Sequence, residues 1–199
     1  MALDDAAVID PAVGYLYVAP ADTAKPEITD PTDPGEDWEN VGHTALDELP
    51  EIGRDGDDPE TKGSWQNPKL RVTTPDVTYT ITFRSIQASP LSYQLYFGAG
   101  PAAMQADGSF RIPAKPSAQE RALLMVIVDG ERFLPLYHPR VSLLGSDAVG
   151  MDADGFVTFP IRGTLLSSSV VGGGLGEWAV LGGVSGLAVA PTSAGLTVG

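Results

Sequence analysis

The residues equipped for chemistry are few and badly spaced for it. Asp152 and Asp154, followed by Gly155, reproduce part of a calcium loop. In such a loop alternating carboxylates supply oxygen ligands and the glycine permits a sharp turn. Here Gly150 stands at the first ligand position, and Ile161 stands where the bidentate Glu belongs, so a polar hairpin turn is the better reading. The two histidines, His43 and His138, lie in no H-x-x-x-H or H-E-x-x-H spacing, and Pro139 after His138 points to a strand end there. Gly172, Gly173 and Gly174 lack the lysine of a phosphate-cradling loop and read as linker. Carboxylates abound, yet they sit in Pro/Gly-rich segments where solvation or interface lining fits better than acid/base work. These residues imply no cofactor, no metal and no enzyme.

Composition narrows the classes further. The 199 residues include no cysteine, which excludes a disulfide framework and thiolate metal sites. The net charge of −14 argues against tight phosphate binding, which depends on Lys and Arg. The first ten residues are acidic where a signal peptide is basic, and no apolar run approaches the length of a transmembrane helix, so we expect a cytosolic product without membrane insertion.

The elements that would position any functional surface are mostly strands. Val77, Tyr79, Ile81 and Phe83 alternate with Thr78, Thr80, Thr82 and Arg84, which predicts a strand with one core face and one polar face. Ser89 as N-cap, Pro90 at the first helical position and Gly98 just past the end then predict a two-turn helix. Residues 121–129 and 131–137, joined at Asp129-Gly130, predict a hairpin with a type I′ turn, Pro135 placing its second strand toward a sheet edge. Further strands are expected at 13–18, 38–44, 141–144 and 156–166. The fold class is mainly β: an antiparallel β-sandwich or partly closed barrel of about seven or eight strands, with one flanking short helix, long loops and extended termini.

Three segments stand apart. The linker from Thr23 to Asp37, with Pro26, Pro31 and Pro34, reads as exposed loop. Residues 46–67 show no periodicity and read as one long acidic loop. Its Leu46, Leu49, Ile52 and Trp65, beside Glu51, Asp55, Asp57 and Asp58, make it a candidate partner-binding loop. In the helix, Tyr93, Tyr96 and Phe97 crowd one side while Leu91 and Leu95 occupy the other, so the domain or a second subunit must cover the aromatic side.

The motifs W-x-x-V-G-H-T at 38–44, S-W-Q-N at 64–67, T-Y-T-I-T-F-R-S-I-Q at 78–87 and L-Y-F-G at 95–98 resemble the major tail proteins of long-tailed, siphovirus-like bacteriophages, over about residues 13–183. The resemblance implies a β-sandwich with a flanking helix, hexameric rings stacked into a tube that conducts phage DNA, and residence in the virion tail after assembly in the host cytoplasm. It also implies contact with the tape measure and tail terminator proteins, and DNA as a partner only in transit.

On this reading Thr78, Thr80, Thr82, Thr158 and Arg162 face the tube interior, the 46–67 loop stacks rings, and Tyr93, Tyr96 and Phe97 meet a neighbouring subunit. Residues 1–183 form the tail-tube-like domain. Residues 184–199 form a flexible tail resembling the first strand of an immunoglobulin-like domain. An acidic chain suits a DNA conduit, since a negative wall repels phosphate. The alternative is a β-sandwich binding module, an adhesin or carbohydrate binder stacking ligands on Trp38, Trp65 and Trp178.

Overall fold

A computed structural model describes residues 3–181. The expected tail at 184–199 lies outside the described residues. The ten strands are β1 (Val13–Pro20), β2 (Glu39–Asn40), β3 (Glu51–Asp55), β4 (Glu60–Lys62), β5 (Arg71–Thr73), β6 (Thr78–Ser85), β7 (Gln119–Asp129), β8 (Arg132–Gly145), β9 (Phe159–Leu165) and β10 (Glu177–Trp178), with one α-helix, α1 (Pro90–Phe97). Eight of them form one antiparallel sheet in the order β2-β1-β7-β8-β9-β6-β3, with β10 paired to β8, and the sheet is not closed into a barrel. β4 and β5 form a separate two-stranded ribbon.

The chain divides into two compact units. The first contains β1, β2, β7, β10 and β8 up to Arg140. Its core gathers Tyr17, Ile28, Trp38, Leu124, Val126, Phe133 and Tyr137. Ile28 belongs to the proline-rich linker, which is exposed over most of its length but anchored by the buried Ile28 and Pro34. Two buried phenols hold it: Tyr17 donates to the Pro31 carbonyl at 2.9 Å and Tyr137 to the Thr23 carbonyl at 2.5 Å. The hairpin between β7 and β8 turns at Gly130, φ +61°, while the residues beside it keep negative φ. One positive φ at the first central position matches type II′, not type I′.

β8 also departs from expectation. It runs unbroken through His138 and Pro139, and it is an internal strand rather than an edge. Pro135 lacks an N–H to donate, but its carbonyl is used, accepting from Ala179 N–H at 3.1 Å.

The second unit contains β3, β4, β5, β6, β9, α1 and β8 from Val141. Ile81, Phe83, Val141, Leu143, Ile161 and Leu95 are buried and form its interior. α1 has the expected ends: Ser92 N–H donates to Ser89 Oγ at 3.1 Å, Pro90 opens the helix, and Gly98 closes it with φ +60°. A buried serine pair, Ser85 and Ser92, Oγ to Oγ 2.9 Å, ties the helix to β6.

The 46–67 segment is not one loop. β3 lies within it and pairs with β6, Ile52 opposite Ile81, and β4 begins the ribbon. A five-residue strand containing Gly53 carries too little local signal to be read, and its stability comes from the long-range ladder.

Candidate assembly surface

In an antiparallel ladder, directly opposed residues share a face. In the second unit Thr78 stands opposite Asp55, Thr80 opposite Gly53 and Thr164, and Thr82 opposite Glu51 and Arg162. Ladder register therefore brings Thr78, Thr80, Thr82 and Arg162 to one face, with Arg84 beside them. Its two arginines are both engaged by carboxylates: Arg162 donates to Asp55 Oδ2 at 2.6 Å, and Arg84 Nε to Glu48. The face is thus polar with its positive charges already countered.

Two details depart from the simple alternation. Thr80 is buried, its hydroxyl lying over Gly53, where an added Cβ would stand 2.9 Å from Oγ1. Tyr79, on the apolar face with Ile81 and Phe83, is 36% exposed, because the first residues of β6 lie beyond the packed core. Thr158 precedes β9 and bridges to Gly150, so it is not in the same ladder.

The loop candidates are dispersed. Glu51, Ile52 and Asp55 are on β3; Asp57 and Asp58 are exposed between β3 and β4; Leu46 and Leu49 are exposed ahead of β3. Trp65 is 96% exposed at the tip of the β4–β5 ribbon. The turn displaying it is tightly built. Ser64 N–H donates to the Asn67 carbonyl at 2.7 Å, Asn67 N–H returns to the Ser64 carbonyl at 3.2 Å, and Lys69 N–H donates to Asn67 Oδ1 at 3.1 Å.

The helix candidates Tyr93, Tyr96 and Phe97 are half-buried, and the chain itself supplies much of their cover. Tyr93 packs on Phe110 and Phe159 at 5.5 and 5.4 Å, Phe97 on Phe110 at 5.8 Å, and Tyr96 on Phe159 at 5.8 Å between centroids. Part of each ring stays exposed. Of the three tryptophans, Trp38 is core, Trp178 is half-exposed and hydrogen-bonded to His138, and Trp65 is 96% exposed.

One feature escaped the sequence reading. Leu46, Ile86, Met151 and Phe156 line an open groove of about 770 Å³ within the second unit. Leu46, Met151 and Phe156 are more than two-thirds exposed (82%, 81% and 73%). The residues come from three separated segments with no shared period, so nothing local marks them. No helix among the described residues is long and apolar enough to cross a membrane.

The profile of the family described as "Phage tail tube protein" matches residues 1–178. The Major tail protein Gp23 of Mycobacterium phage D29 is 37% identical over 177 residues, covering 83% of this chain and 88% of that protein. The protein of the same name from Mycobacterium phage L5 is 36% identical over 177 residues, with the same shares covered. The strand-and-turn motifs that resembled phage major tail proteins thus rest on similarity along most of the chain, and the chain belongs to the phage tail tube protein family.

Proposed function

We propose that this chain is the repeating structural subunit of a phage tail tube, forming hexameric rings that stack into a conduit for DNA, with a structural and not a catalytic role. The observation that carries the reading is the two-sided sheet of the second unit: one face buried under Ile81, Phe83 and Ile161, the other polar, ending at β3 with a free edge. An open edge is a template for pairing with another chain, and a ring uses it without leaving edges exposed.

In this arrangement Thr78, Thr82, Thr158 and Arg162 line the passage, with Thr80 beneath the β3 backbone. The threonine hydroxyls offer no net charge, and Asp55 and Glu48 counter the arginines, so phosphate meets no bare cation there. The net charge of −14 favours transit over adhesion. The ribbon and its flanks, from Leu46 to Trp65, bridge stacked rings, while tape measure and terminator proteins meet the tube inside and at its end. Residence in the virion tail follows, after assembly in the host cytoplasm.

Negative-stain microscopy of the purified full chain tests the reading. Rings or tubes support it; a dispersed monomer at every concentration and salt condition removes it.

A further inference from the structure

The most exposed tryptophan and the apolar groove both belong to the second unit, yet Trp65 is 96% exposed and so leaves the groove of its own chain unfilled. An indole held out in water on a hydrogen-bonded turn is a preorganised anchor, and aromatic anchors seated in apolar pockets dominate interface energies.

Charge supplies the partner. The ribbon and its tip carry Lys62, Lys69 and Arg71 against Glu60, and none of the three cations is in an ion pair among the described residues. The groove is bordered by Asp47 and Asp152, and its one arginine, Arg84, is already engaged by Glu48. A basic knob and an acidic-rimmed apolar socket on one molecule are complementary to each other.

We propose that Trp65 of one copy of this chain seats in the Leu46–Met151–Phe156 groove of a second copy, with Lys62 and Lys69 set against Asp47 and Asp152. The contact is heterologous: each copy gives its knob to one neighbour and its socket to another, so it propagates along an open stack instead of closing a pair. This inference rests on the stacked-ring reading and names the two surfaces that meet between rings.

The absence of cysteine makes a cross-linking test direct. Gln66→Cys, beside the anchor, and Gly155→Cys, in the groove lining, are prepared separately as full-chain subunits, checked for wild-type circular dichroism, mixed, assembled and oxidised, so that Trp65 and Phe156 themselves stay in place. Both positions are exposed, so neither substitution disturbs a core. The expected product is a mixed disulfide dimer, about twice 20.8 kDa, formed only when both variants are present. The double variant should give a ladder.

Normal tubes without that linkage, linkage of Gln66→Cys to itself, linkage within one chain only, or linkage of Gly155→Cys to a different tail protein in particles would each overturn the docking while leaving the tube reading standing. Cross-linking in a protein that never forms rings would keep the docking and remove the ring reading. As an independent measure, Trp65→Ala should raise the critical concentration for polymerisation about thirtyfold, the effect of truncating an aromatic anchor. Lys69→Glu should also impair assembly, and Asp152→Lys should restore it. An unchanged critical concentration for Trp65→Ala, or no restoration by the charge swap, contradicts the proposal.

Discussion

The indole Nε1–H of Trp178 donates to Nε2 of His138 at 3.1 Å, and this bond fixes the imidazole tautomer. With Nε2 an acceptor, the ring proton is on Nδ1, which donates to the Leu175 carbonyl at 3.0 Å. His138 is 4% exposed, and the two rings meet edge to face. A neutral histidine thus clamps the β10 segment onto β8 within the first unit, beside the exposed Lys25–Glu177 pair.

Burial holds the His138 imidazole below the ordinary histidine value, against a smaller opposing pull from the Leu175 carbonyl. A depressed folded-state value means that the unfolded chain binds the proton first. Its stabilising contribution is complete above about pH 6.5 and is lost as pH falls below that value. Protonation would also set an N–H against the indole N–H. Thermal melts of the wild type should be flat from pH 8 to 7 and fall towards pH 5.5, and His138→Gln should show a shallower fall in that window. Identical slopes for the two proteins would contradict the assignment.

Asp22 adopts φ +64°, the one described non-glycine residue with positive φ, and its carboxylate accepts from Ser168 Oγ at 2.6 Å and from Arg140. These bonds, Ser168 first, hold its carboxyl below the ordinary carboxylate value. Asn tolerates the left-handed region and keeps one acceptor, Gly relieves the backbone but loses both bonds, and Ala loses the bonds and adds strain. Denaturant midpoints should therefore fall least for Asp22→Asn and most for Asp22→Ala. A midpoint for Asp22→Ala at or above that of Asp22→Gly would show that the backbone conformation is not what selects the residue.

Gly163 on β9 stands opposite both Ile81 and Leu143 in the second unit's core. An added Cβ would lie 2.5 Å from Val141 Cγ1 and 2.8 Å from Leu143 Cδ2. Gly163→Ala should cost about 1–3 kcal/mol through overpacking. Denaturant unfolding measures it, and a change below about 0.5 kcal/mol, the range of ordinary surface substitutions, would mean that the sheet gives way at no cost.

Replacing the ribbon tip, residues 64–70, by a two-residue Asn-Gly turn should leave the subunit folded, with stability within about 0.5 kcal/mol of wild type, since the tip is exposed. Polymerisation should be lost. Cutting further back is a different experiment: removing residues 51–61 strips β3 from β6 and uncovers part of the core edge. Tubes of normal length from the 64–70 variant would exclude the ribbon from stacking.

What could be read from the sequence was local. Ser89, Pro90 and Gly98 mark the ends of α1 because capping is a matter of a few neighbouring backbone groups, and Gly130 marks its hairpin for the same reason. The alternation in β6 also places Ile81 and Phe83 in the core.

The misses are long-range. β3 exists because Ile52 meets Ile81, and Ile28 is buried because phenols 11 residues before it and 109 residues after it anchor its segment. Phe110 and Phe159, distant in sequence, cover the aromatic side of α1. The polar face was readable from the threonines of β6, but the countering of its arginines was not, because Asp55 and Glu48 lie 107 and 36 residues from their partners.

A tube built from this chain should have the Thr78–Thr82–Arg162 face turned inward, and electron cryomicroscopy of polymer assembled from the purified full chain shows which face lines it. Six copies per ring are expected, stacked, with Thr82 and Arg162 on the wall of an open channel and Ile81 and Phe83 within each subunit. A polymer with that face on its outer surface, or a protein that stays monomeric under all assembly conditions, would contradict it.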